Sequence, residues 1–309
     1  MGKKQTIIYR KKAEVPAPHI TQRDLHLFHT LGTACYLTTK QIQTLFWPVS
    51  NGFGGSKGLL KSCQERMRRL TTHGYIRRIR PFIRQGEARQ PYIYSLDKRG
   101  ADFLSGEMGI ELPHIHWQPK NAEDNPSYLR HFLKTNDVQI ALSLACKRNG
   151  VTLGEWLSDR ELKSAGMKEY VTITGARGAA QRAAVVPDAC FTLSWGNRGA
   201  TFFLELDLGT VTIRPTLWER RGWTRRINAY RAYLGSDACR SRYGAQDAQV
   251  LTITTTDSRR EHLQEATKKT GAGMDFWFST LTAATNPEKL LKQPIWDRIG
   301  STKRYSLLG

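Results

Sequence analysis

Residues 201–209 read TFFLELDLG. Phe202, Phe203, Leu204, Leu206 and Leu208 suit a buried strand, yet Glu205 and Asp207 sit among them. Side chains alternate along a strand, so residues two apart share a face. Two like charges on one face repel, and a buried charge is costly unless it is paired or bound to metal. The stretch therefore predicts a core strand whose two acids meet a compensating partner.

The preceding run AAVVPDACFTLSW (183–195) predicts another strand, with Asp188 behind Pro187. Gly196, Asn197, Arg198 and Gly199 predict the turn of a hairpin joining the two. That pairing would bring Asp188, Glu205 and Asp207 to one edge of a sheet. Three carboxylates there offer hard oxygen ligands suited to Mg²⁺ or Mn²⁺. A divalent ion would activate water and polarise a scissile phosphate. The competing reading is that nearby arginines satisfy the acids. The next segment, TLWERRGWTRRINAYRAYL (216–234), predicts an amphipathic helix with Leu217, Ile227, Tyr230 and Leu234 inward and Arg226 one turn before Tyr230. Arginine cannot act as a base at neutral pH, but it can stabilise charge on a phosphorane.

The rest of this half fits the same sheet. NPSYLRHFLKTNDVQIALSLACKRNG (125–150) predicts a long helix, and VTLGEWLSD (151–159) a strand. Residues 160–182 show no clear period. AQVLTITTT (248–256), DSRREHLQEATKKTG (257–271) and MDFWFSTL (274–281) predict strand, helix and strand. The order α-β-β-β-α-β-α-β predicts a mixed sheet flanked by helices. His131 and Asp137 on the first helix, and Glu155 and Glu161 near the first strand, are further candidates for the acidic edge. His114 and His116 have strand-like metal spacing but no third ligand. Neither a G-x-S-x-G elbow nor a Cys–His pair supports nucleophilic hydrolysis.

The first hundred residues read differently. Residues 1–20 are basic and then proline-punctuated, which predicts an arm. In TQRDLHLFHTLGTACYL (21–37), Thr21 and Asp24 predict a capping box, and Leu25, Phe28 and Leu31 a helical stripe. TTKQIQTLFW (38–47) predicts a second helix, NGFGGSKG (51–58) a turn, and LLKSCQERMRRLTTHGYI (59–76) a third helix closed by His73-Gly74. YIRRIRPFIR (75–84) and QPYIYSL (90–96) alternate like a hairpin. Three helices followed by a hairpin predict a winged helix-turn-helix over 21–104, with the third helix in a major groove and the wing on the backbone or minor groove. Lys61, Arg66, Arg68, Arg69, Arg77, Arg78, Arg80 and Arg84 are the candidate DNA contacts. A winged helix serving as a protein–protein module is the alternative. Residues 105–127, rich in Gly and Pro, read as a linker to the domain at 128–309.

Charge gives the direction. The 309 residues carry 47 Lys+Arg against 27 Asp+Glu, a net charge of +20. Residues 1–120 alone hold 20 Lys+Arg and 8 Asp+Glu. A field this positive points to double-stranded DNA as the partner. Five scattered cysteines without a CxxC argue against a disulfide framework or zinc ribbon, and no long apolar run predicts a membrane span. We therefore expect a cytoplasmic protein that does not engage the membrane.

The pair Pro187-Asp188 with Glu205-Leu206-Asp207 resembles the PD-(D/E)xK nucleases of the restriction-endonuclease-like fold. Asp207 stands where that motif has lysine, and Arg226 is the nearest substitute cation. The wider order is a winged helix, LRHFLKTNDVQIAL, GEWLSDREL, VVPDACFTL, FFLELDLGT, INAYRAYL, VLTITTT with Arg259-Arg260, and PIWDRIG. From about residue 22 to 300 this order resembles the replication-relaxation family of bacterial plasmids, phages and other mobile elements. The resemblance implies a DNA-binding winged helix joined to a restriction-endonuclease-like αβββαβ domain, associated with plasmid or nucleoid. It implies replication or maintenance of a mobile element, with plasmid or host replication proteins as partners. Two expectations follow. One is a Mg²⁺- or Mn²⁺-dependent nickase in which Asp188, Glu205 and Asp207 hold metal and Arg226 stabilises charge. The other is a non-enzymatic transcriptional or copy-number regulator with a degenerate nuclease-like domain.

Overall fold

The computed structural model describes residues 16–48, 56–81, 90–115, 117, 125–164, 166–174, 178–209, 211–213, 222–243 and 248–309. Residues 1–15 of the basic arm, 51–55 of the glycine-rich turn, the hairpin tip with Arg84, His116, residues 118–124 of the expected linker and Leu217 lie outside the described residues. The chain divides into two compact units, Met1–Pro126 and Ser127–Gly309.

The first unit opens with helix α1 (Gln22–Ala34). Thr21 and Asp24 cap it reciprocally, the Thr21 N–H donating to Asp24 Oδ2 at 2.8 Å. A second capping box, Thr38 with Gln41, starts α2 (Thr39–Phe46) directly after the short strand β1 (Leu37–Thr38). Helix α3 (Ser56–Thr72) buries Cys63, Met67 and Leu70, spaced to share one face. Gly74, at φ 70°, supplies the left-handed turn into β2 (Ile76–Ile79). Strand β3 (Ile93–Leu96) pairs antiparallel with both β2 and β1, giving the order β1-β3-β2.

Helix α4 (Lys98–Met108) then runs into the stretch expected to be linker. Its periodic signal is short: Gly100, Ala101 and Leu104 are its buried residues. Ile115 beyond it is also buried, so the segment to residue 115 contributes to the first unit's core rather than to a connector.

The second unit is a seven-stranded mixed sheet between two helical layers. Helix α5 (Pro126–Asn149) precedes the edge strand β4 (Thr152–Ser158) and helix α6 (Asp159–Ser164). Strands β5 (Glu169–Thr174) and β6 (Ala180–Val185) form a separate antiparallel pair. Strands β7 (Ala189–Trp195) and β8 (Arg198–Asp207) form the expected hairpin, but the strand expected over 183–195 is broken at Pro187-Asp188: residues 183–185 belong to β6 and β7 begins at Ala189. Helices α7 (Trp223–Leu234) and α8 (Asp237–Tyr243) lead to β9 (Gln249–Thr254), α9 (Asp257–Lys268), β10 (Phe276–Thr280), α10 (Leu281–Ala284), β11 (Trp296–Arg298) and β12 (Arg304–Tyr305). The sheet order is β12-β11-β10-β9-β8-β7-β4, with β8, β9 and β10 parallel.

The alternation in β8 decides which layer each residue meets. Phe202, Leu204 and Leu206 join Leu142 and Ala145 of α5 in one core. Phe203 joins Ile227 and Tyr230 of α7 and Leu263 of α9 in the other. Glu205 and Asp207 are two and four residues on from Phe203, so they share its face, toward α7 and α9.

Candidate functional site

Asp188 stands opposite Glu205, because Ala189 pairs with Leu204. The Asp188 N–H donates to the Leu204 carbonyl at 2.9 Å. Its Oδ2 accepts the Leu206 N–H at 2.7 Å, so the side chain extends the ladder past the end of β7. His131 of α5 places Nε2 3.3 Å from the same Oδ2 and 3.1 Å from the Leu206 carbonyl. Burial works to raise the Asp188 pKa, but the His131 hydrogen bond and charge, the Leu206 N–H and the Arg226 charge outweigh it and hold it below the ordinary value. Burial works to lower the His131 pKa, and Asp188 overrides it, so His131 is raised.

Glu205 is 3% exposed. Arg226 Nη1 donates to its Oε2 at 2.5 Å, and the Tyr230 hydroxyl donates to its Oε1 at 2.6 Å. Arg226 and Tyr230 are four residues apart on α7, so one helix face presents both donors. Burial pushes the Glu205 pKa up to about 7; Asp188 adds to the rise, while Arg226, Tyr230 and His131 oppose it. The Glu205 charge raises the Arg226 pKa, against the effect of burial. Tyr230 is raised by burial and by Glu205.

Asp207 turns to a different partner. Arg259 of α9 grips it in a fork, Nε to Oδ2 at 2.8 Å and Nη2 to Oδ1 at 3.1 Å. The Thr254 hydroxyl also donates to Oδ2, at 3.0 Å. The expected ring of three carboxylates does not form. Asp188 and Glu205 are neighbours, but Asp207 belongs to its own arginine. Five of the six oxygens of these acids already accept a protein hydrogen bond. Among the described residues, no group of three or more His, Cys, Asp or Glu is placed to hold a metal ion. The donor set in this arrangement therefore suits bound cations of the protein, not Mg²⁺ or Mn²⁺. The physical reason is that α7 and α9 each bring an arginine to the face carrying the acids.

A family model described as replication-relaxation matches residues 28–248, which include Asp188, Glu205, Asp207, Arg226 and all of α7. The chain belongs to the replication-relaxation family. No curated protein matches the chain. Two solved structures of the restriction endonuclease FokI, the first of them bound to DNA, share 11% and 10% identity with it. They cover 85% and 86% of this chain at TM-scores of 0.25 and 0.29, and the chain spans 43% of theirs. A likeness that slight carries no argument.

Other expected residues of this replication-relaxation protein fall elsewhere. Asp137 pairs with Lys134 at 2.8 Å. Glu155 is exposed on β4. Glu161 caps α6, accepting from the Ser158 N–H and hydroxyl at 2.7 and 2.6 Å. Of the predicted DNA contacts, Lys61, Arg68, Arg77, Arg78 and Arg80 are exposed and Arg69 is half-buried. Arg68 pairs with Glu65 on its own helix, and Arg78 lies over the Tyr92 ring at 4.8 Å. Arg66 is a correction: it turns inward, donating to the buried Asp24 and, at 2.7 Å, to the His19 carbonyl. Asp24 is 1% exposed. Its burial, which would raise the pKa, is outweighed by Arg66 and Thr21. Arg66 lies three residues after Cys63 and four before Leu70, so it borders the buried stripe of α3, which its charge does not reveal. Tyr230 as a donor to Glu205 was missed, and the i, i+4 spacing with Arg226 was the available signal. Arg259 as the Asp207 partner carried no local signal, since the two are 52 residues apart in sequence.

Proposed function

We propose that this chain is a double-stranded-DNA-binding protein acting in replication or maintenance of a plasmid or other mobile element. The first unit is read as a winged helix, with α3 as recognition helix and the β2–β3 hairpin as wing. The observation that carries this reading is the run of exposed cations on consecutive elements: Lys61 and Arg68 on α3, then Arg77, Arg78 and Arg80 in and just after β2. Such a run is the expected footprint of phosphate contacts. The family membership supports a role on DNA.

The second unit is read as a restriction-endonuclease-like domain whose acids serve structure and not cleavage. Support comes from the occupied oxygens of Glu205 and Asp207. In this reading Arg226 and Arg259 neutralise Glu205 and Asp207, the Tyr230 hydroxyl orients Glu205, and His131 pairs with Asp188. The deciding experiment incubates supercoiled plasmid with the protein in Mg²⁺, Mn²⁺ or EDTA. Binding without nicking is expected. Metal-dependent nicking that disappears in Asp188→Ala would replace this reading with the nickase.

A further inference from the structure

The carboxylate site lies where β8 and β9 end. At the opposite end of the same strands is a cavity of about 320 Å³, lined among others by Trp195, Arg198, Gln249, Trp277, Arg298 and Tyr305. Its volume falls at the lower end of the range of small-molecule sites, about 300–1,000 Å³. Two of these lining residues carry a buried polar atom, Gln249 Oε1 and Trp277 Nε1, with no hydrogen-bond partner among the described residues. Trp277 is 4% exposed. Unmatched buried donors and acceptors are uncommon because each forfeits its bonds to water.

The register places the two side by side. Trp277 of β10 pairs with Leu251 of β9, two residues on from Gln249. Gln249 and Trp277 therefore project from one face of adjacent strands as diagonal neighbours. One offers an acceptor and the other a donor. Every nucleobase presents a donor beside an acceptor on its pairing edge, so a single planar base would satisfy both atoms. The cations complete the picture. The Arg298 guanidinium lies 4.5 Å over the Trp277 ring and 5.0 Å over Tyr305, and Arg198 lies 5.3 Å over Trp195. Aromatic stacking holds each guanidinium in place, and its planar fork suits a phosphate.

We propose that this cavity binds a nucleotide. The base edge bonds Gln249 Oε1 and Trp277 Nε1–H, and the phosphate meets Arg198 and Arg298. A free mononucleotide and one residue of a single strand share this chemistry.

Isothermal titration of the full chain with dAMP, dCMP and a ten-nucleotide single strand separates the sources. Trp277→Phe removes the donor and keeps a ring; Gln249→Leu removes the acceptor. Saturable mononucleotide binding, weakened at least tenfold by either variant, assigns a free nucleotide. Binding of the strand alone, weakened likewise, assigns a nucleotide of a strand. Absence of saturable binding by any probe at millimolar concentration overturns the proposal. So does binding that Gln249→Leu leaves unchanged while the variant melts like the wild type. If Trp277→Phe fails to fold, Gln249→Leu decides alone.

Discussion

Arg226 reaches Glu205 across the layer boundary, its Nη1 2.5 Å from Oε2, with the arginine 39% exposed and the glutamate 3%. The pair is thus half-solvated on one side only. Arg226→Ala leaves a buried acid with Tyr230 as its remaining donor. Removing one partner of a buried pair costs about 3–5 kcal/mol, and the exposure of Arg226 lowers the expectation to about 2–4 kcal/mol. The double variant Glu205→Gln with Arg226→Ala should recover part of that loss. Urea unfolding of the three variants measures it, and a loss below about 0.5 kcal/mol for Arg226→Ala would show that the contact is idle.

The same burial gives a pH dependence. Glu205 rises from an ordinary 4.5 to about 7. A raised folded pKa means that its contribution is fully present below pH 4.5 and is lost as pH rises through about 7. His131, also raised, acts in the same sense: its contribution is present below 6.5 and fades as pH rises through its folded value. Asp188 is lowered and acts oppositely, its contribution lost only as pH falls through a value below 3.8. Stability should therefore decline between pH 4.5 and 7, by at most about 3 kcal/mol from Glu205. Glu205→Gln should flatten that slope. Carboxyl carbon NMR should give Glu205 a midpoint near 7; a midpoint near 4.5 rejects the assignment.

The hairpin of β7 and β8, and the face shared by Glu205 and Asp207, were legible because alternation has period two and a turn separates the runs. The capping box at Thr21 was legible for a similar reason, since its signal spans four residues. What stayed hidden depends on distant partners. Strands β5 and β6 cover α7 with few apolar residues, Val171, Ile173, Ala183 and Val185; residues up to 182 read as aperiodic, and 183–185 read as part of the next strand. The arginine that satisfies Asp207 comes from a helix after the next strand. Charge showed that the first unit is basic but not which arginines face solvent, because Arg66 and Arg68 look alike in sequence.

Helix α4 supplies a contrast between two glycines. A Cβ on Gly100 would lie 2.1 Å from the Tyr75 carbonyl oxygen and 2.8 Å from Leu96 Cδ1. A Cβ on Gly106 would meet nothing within 4 Å. Alanine is otherwise the better helix former by about 1 kcal/mol. Gly106→Ala should raise stability by about 0.5–1 kcal/mol. Gly100→Ala should lower it by about 1–3 kcal/mol, because a backbone carbonyl cannot step aside. Thermal melts should move in opposite directions, and a Gly100→Ala protein as stable as wild type would place α4 farther from β2.

Arg66 and the exposed arginines after it should separate in a DNA experiment. Arg66 ties α3 to the buried Asp24 at the start of α1, so Arg66→Ala should cost about 3 kcal/mol of stability. Where that variant remains folded, its salt dependence of DNA binding should match wild type. Arg77, Arg78 and Arg80 are exposed. Each phosphate contact contributes about 0.9 to the slope of log K against log salt on duplex DNA. The triple variant Arg77→Ala, Arg78→Ala, Arg80→Ala should thus reduce that slope by about 3 and leave the urea midpoint nearly unchanged. Fluorescence anisotropy on a duplex across a salt series reads the slope, and urea unfolding reads the midpoint. An unchanged slope in the triple variant would remove β2 and the residue after it from the interface. A reduced slope in folded Arg66→Ala would mean that Arg66 leaves Asp24 to meet phosphate.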